Sequence, residues 1–129
     1  MRALMDEAKR LGVRVHMAHL PRQTSGYYDH AKRRIAIDIT LTPQEHREVL
    51  AHELGHAFHG HTCGSAAHEQ QADRRAALLL VDPDAYAHAE REHPAVGAIA
   101  ERLEVDPHYV HVWRQHWLPR ILSTGRARA

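Results

Sequence analysis

The chain has 129 residues, 43% hydrophobic and 26% charged, enough for one compact domain with at most a small appendage. Its 17 basic and 16 acidic residues leave a formal charge of +1, too even for a general polyanion binder. The single cysteine, Cys63, cannot form an internal disulfide, which excludes the secreted disulfide scaffolds and points to a reducing cytoplasm.

Taken in chain order, Leu4, Ala8 and Leu11 fall at helical spacing and Gly12 follows as a stop, so residues 2–11 read as a short helix without the apolar core of a signal peptide. Residues 13–20 alternate with period two until Pro21, and 27–29 and 34–39 read as two further strands joined by a polar turn. A small sheet of three strands is expected. Thr42-Pro-Gln-Glu45 is a capping box with proline at the first helical position, and Gly60 is a left-handed stop, so a helix is predicted over 43–59. A second helix covers 67–80 with Ala72, Ala76, Leu79 and Leu80 as its buried stripe, and residues 81–84 end it. Helices over 94–103 and 107–117 follow, then a frayed tail at 125–129. The longest apolar run, residues 76–81, is far too short to span a membrane.

Fourteen histidines stand out, and they raise both a metal and a pH-sensing reading. The helix over 43–59 carries His52-Glu-Leu-Gly-His56. Four residues turn a helix by about 400°, so His52 and His56 point the same way and can share one zinc ion. Glu53 lies about 100° around the helix, within reach of a water at the metal without ligating it. Leu50, Leu54 and Ala57 take the opposite, core-facing side. Abundant histidine weakens this signal, because a shuffled chain shows H-E-x-x-H about 0.1 times.

A catalytic zinc needs a third protein ligand. The position ten residues after His52 is Thr62, which disfavours a three-histidine set. The next helix offers Glu69 and Asp73 four apart on one face. Glu69 can ligate zinc while Asp73 accepts a hydrogen bond from the outer nitrogen of a ligand histidine. Requiring both motifs lowers the chance expectation to the order of 0.01.

At these residues the chain resembles the ImmA/IrrE family of metallo-endopeptidases. The resemblance runs from Gly26 to Pro83, through Ile35-Ala-Ile37, Leu41-Thr-x-x-Glu45, Leu50-Ala-His-Glu-Leu-Gly-His56 and Glu69-x-x-Ala-Asp73. It implies an α+β, zincin-like fold: a three-stranded sheet packed on the H-E-x-x-H helix. It also implies zinc-dependent cleavage of a protein, commonly a phage or mobile-element repressor. His52, His56 and Glu69 match the family's zinc ligands and Glu53 its catalytic glutamate, while Arg75 stands where members often carry an apolar aromatic residue.

Residues 1–90 are expected to form the metalloprotease domain and 91–129 a helical extension. An extended substrate is expected to pair with the strand over 34–39 if that strand is the sheet edge. Tyr27, Tyr28, His59, His61 and His68 are open candidates for the oxyanion donor. His59 can bond to a ligand histidine, and His59, His61 and Cys63 read mainly as a helix end and polar loop rather than a second metal clip. Residues 98–113 have the outline of a helix-turn-helix, in which His108, His111, Arg114 and Gln115 would face a nucleic-acid groove. The favoured reading of 94–118 is instead a helical pair that closes the core with Trp113 and Trp117. The alternative function is a non-catalytic module that contacts DNA or a repressor around a structural zinc.

Overall fold

The computed structural model describes residues 2–62 and 64–124; the tail expected at 125–129 and Cys63 lie outside the described residues. Among the described residues the chain is α+β, with three strands and seven helices. Helix α1 (Arg2–Leu11) buries Leu4 and Ala8, and Gly12, at φ 70°, turns the chain into β1 (Arg14–Ala18). Strand β1 is shorter than the alternation suggests, and beyond its end the Leu20 amide donates to the Asp38 side chain, at 2.9 Å from Oδ1. Strands β2 (Gly26–Asp29) and β3 (Arg34–Asp38) form a hairpin, and β1 pairs parallel to β3 with Val15 opposite Ile35.

The sheet order β1-β3-β2 makes β3 the central strand, so the expectation that residues 34–39 form an edge is wrong. Both its hydrogen-bonding sides are taken, and Ile35, Ala36 and Ile37 are fully buried. The free edges belong to β1 and β2.

Helix α2 (Pro43–His59) starts at the expected capping box, with the Glu45 amide donating to Thr42 Oγ1 and the Thr42 amide to Glu45 Oε1. It ends at Gly60, whose φ of 69° few other residues adopt without strain. Helix α3 (Ala66–Leu80) runs back along α2, capped by Ser65. The two backbones meet at Gly55, where an added Cβ would lie 2.4 Å from the Ala72 carbonyl oxygen.

Residues 81–84 do end α3, but they also begin a helix that the periodicity did not suggest, α4 (Pro83–Glu92). Asp82 caps it and Pro83 takes its first turn, the same chemistry that opens α2. Helices α5 (Val96–Leu103) and α6 (Pro107–His116) follow as expected, and α7 (Leu118–Thr124) continues beyond a break at Trp117.

Two apolar cores result. One joins Leu4, Ile35, Ile37, Leu50, Leu54 and Ala76, between α1, the sheet, α2 and α3. The other joins Ala77, Tyr86, Ile99, Val105, Val110 and Trp113. Helix α3 is therefore a wall common to both, with Ala76 on one side and Ala77 on the other. Leu79 and Leu80 are only half-buried, packed against these cores, and the fully buried residues of α3 are Ala72, Ala76 and Ala77. No helix among the described residues is long and apolar enough to cross a membrane.

Candidate metal centre

Helix α2 presents His52 and His56 one turn apart, with ring centroids 4.9 Å from each other. The first turn of α3 brings Glu69 across to them. Its Oε1 lies 2.9 Å from His52 Nε2 and its Oε2 2.9 Å from His56 Nε2. One ligand atom from each of the three residues falls within 4.8 Å of the others, so the group can hold a metal ion. Two imidazole nitrogens and one carboxylate oxygen suit zinc, and three protein donors leave room for water or substrate.

Asp73, one turn after Glu69, sits behind His52, with Oδ1 3.4 Å from Nδ1. Its other oxygen bonds to Nε2 of His108, which arrives from α6. Sequence periodicity placed His108 on a solvent or groove face, and its tie to Asp73 is a non-local contact that spacing does not reveal. Arg114 also turns inward, donating to the Tyr86 hydroxyl at 2.6 Å and the Pro94 carbonyl at 2.9 Å. Two of the four residues expected to face a groove are thus engaged within the fold. Trp113 is buried and the Trp117 indole donates to the Arg74 carbonyl, so these helices close against α3.

The charges are uneven. Burial opposes the His52 cation, but hydrogen bonds to Asp73 and Glu69 outweigh it and lift His52 to about 9. Asp73 is lowered in turn: burial resists, and His52 and His108 prevail. His56 goes the other way, lowered by burial and by the neighbouring His52 cation. Glu53 is 9% exposed and is pushed up to about 7, chiefly by burial and secondarily by Glu69, against the pull of His52.

Glu53 stands where two clefts meet. One, of about 410 Å³, is lined by Leu41, Glu48, Val49, His52 and Tyr109. The other, of about 340 Å³, is lined by Tyr28, His56, His61 and Glu69. Both share Glu53 and Gly26, which places the start of the free edge strand β2 along the junction. Only glycine fits at 26, because a Cβ would meet Val49 Cγ1 at 2.6 Å and the Ala36 carbonyl oxygen at 2.9 Å.

Of the oxyanion candidates, Tyr28 lines the second cleft but bonds to His30 Nδ1 at 2.8 Å. Tyr109 was not among the candidates. It lines the first cleft, makes no side-chain hydrogen bond among the described residues, and stays protonated because burial and then Asp73 and Glu48 disfavour its anion. Among the described residues His59 bonds to neither histidine of the pair; His61 does, its Nδ1 2.9 Å from His56 Nδ1. Arg75, the departure from the aromatic pattern, pairs with Glu7 at 3.1 Å and lies over the Phe58 ring.

No curated protein matches the chain significantly. The family model described as the IrrE N-terminal-like domain, Peptidase_M78, matches residues 8–111, most of the chain including every residue of the candidate centre. With a zincin-like α+β fold and a donor group suited to a metal, the chain belongs to this family of metal-dependent peptidases.

Proposed function

We propose that the chain is a zinc-dependent endopeptidase acting in the cytoplasm on one specific protein, a phage or mobile-element repressor. The observation that carries the reading is the convergence of His52, His56 and Glu69 within 4.8 Å. Buried Glu53 stands beside them at the junction of two clefts. In this reading His52, His56 and Glu69 hold the zinc and Asp73 orients His52. Bound zinc supplies Lewis acidity, polarising the scissile carbonyl and making water a better nucleophile.

The chain's own residues do the rest. The free edge of β2 pairs with the extended substrate backbone and lays the scissile bond along the junction. Glu53 removes a proton from the attacking water and then delivers it to the leaving nitrogen. A value near 7 suits a group that must both take and give a proton, although a bound cation draws it down. Tyr109 offers an O–H donor to the oxygen that gains charge.

Metal analysis of the purified protein is the first test. One zinc per chain is expected, with loss of bound zinc in Glu69→Ala; full retention in that variant would remove Glu69 from the ligand set. Digestion of helix-turn-helix repressors by the loaded protein, mapped by mass spectrometry, tests the substrate class, and a panel left intact would reject it.

The His52 value gives a pH dependence. His52 is protonated below about 9, and zinc must displace that proton. Raising the pH removes the competitor, so apparent affinity should rise roughly tenfold per pH unit from ~7 and level off near the His52 value. Calorimetry in buffers of different ionisation heat should find about one proton released per zinc at neutral pH. Binding without proton release would contradict the assignment of His52.

A further inference from the structure

His61 lies just past the left-handed cap at Gly60, where the chain folds back over α2 and the His61 amide donates to the His56 carbonyl at 3.0 Å. This turn sets His61 Nδ1 2.9 Å from His56 Nδ1. Its other nitrogen, Nε2, lies 2.8 Å from Gln71 Oε1 on α3. The ring is 7% exposed and stacks on His68 at 3.9 Å and on His59 at 5.1 Å, which holds its plane.

A neutral imidazole has one N–H, so the chain of contacts has a direction. The Gln71 carbonyl oxygen can only accept, which puts the His61 proton on Nε2 and leaves a lone pair on Nδ1. His56 Nδ1 must then be the donor. His56 Nε2 faces Glu69 Oε2 at 2.9 Å, a carboxylate that competes for the ring proton until a metal ion takes its place; with the proton held on Nδ1, the Nε2 lone pair is left for that ion.

We propose that Gln71 and His61 are positioning residues that fix the tautomer of His56 and so present its Nε2 lone pair to a metal ion. The inference rests on the metal-site reading above. It also gives the two histidines different supports: His52 is backed by the anionic Asp73, and His56 by a neutral chain that adds no negative charge to the centre.

The test has a metal-free arm and a zinc arm. Nitrogen-15 NMR of the metal-free Glu69→Ala protein, in which no carboxylate competes for the ring proton, should find His56 as the Nδ1–H tautomer, and adding His61→Phe, which keeps a stacking ring but no acceptor, should shift it towards Nε2–H. In chelator competition with zinc alone, His61→Phe and Gln71→Leu should bind about 10- to 100-fold more weakly. Gln71→Glu, which can still only accept, should stay near wild type. Gln71 is exposed, so its two variants keep the test open should His61→Phe fail to fold.

An Nε2–H tautomer in the metal-free Glu69→Ala protein, or unchanged zinc affinity in both His61→Phe and Gln71→Leu, would overturn the inference, while loss of zinc in Glu69→Ala would leave the metal site standing. Failure of the wild type to bind zinc would overturn the metal site itself, and this role with it.

Discussion

Glu53→Gln should leave zinc stoichiometry at the wild-type level and lower kcat for peptide cleavage by about 10²- to 10⁴-fold. Glutamine preserves the size and packing of a side chain that is 9% exposed but cannot take a proton. Because Glu53 is outside the donor group of His52, His56 and Glu69, metal uptake should not change. Stability supplies a second readout. The folded state raises Glu53 from 4.5 to about 7, so in the metal-free protein its ionisation costs stability as the pH rises across that interval. Above pH ~7 the metal-free variant should therefore melt at a higher temperature than wild type, and below pH ~4.5 the two should coincide. Cleavage at the wild-type rate by the glutamine variant would end the assignment of Glu53 as the base.

Gly55→Ala should produce the largest loss of stability among single-methyl additions. In an open helix position the change gains about 0.5–1 kcal/mol, because alanine loses less backbone entropy than glycine. Here the new Cβ would lie 2.4 Å from the Ala72 carbonyl oxygen and 2.8 Å from its Cα, and these are backbone atoms that cannot rotate away. Overpacking of this kind costs about 1–3 kcal/mol or more, so the net change is unfavourable and Tm should fall by about 5 °C. The same push separates α2 from α3, and with them the histidine pair from Glu69. Zinc affinity should drop alongside Tm. Gly97→Ala in α5, where a Cβ meets nothing within 4 Å, is the matched control and should be neutral or slightly stabilising. A Gly55→Ala protein as stable as that control would show that the helices part without cost.

What could be read from the chain beforehand was local chemistry. Thr42, Pro43 and Glu45 announce the start of α2 and Gly60 its end through groups within a few residues of each other. The spacing of His52 and His56 follows from the helix repeat alone. Glu69 and Asp73 were legible as one face of a neighbouring helix, while the distances between helices were not.

The misses have physical causes. Ile35-Ala-Ile37 is a continuous apolar run, the mark of a strand covered on both faces, and that pattern pointed to the centre of a sheet rather than its edge. Asp82-Pro83 was read only as a stop, although an acidic cap followed by proline also starts a helix, as α4 does. His61 and His108 are beyond local reasoning: one depends on the backward turn at Gly60, the other on α6 docking against α3.

Helix α3, the wall shared by both apolar cores, carries Glu69 towards the histidines and Asp73 towards His108. In thermodynamic terms, the ion and the C-terminal helices address a single element, and any coupling between them is reciprocal. An ion that steadies α3 steadies the helices packed on its far side by the same free energy with which a partner gripping those helices would change the ion's hold.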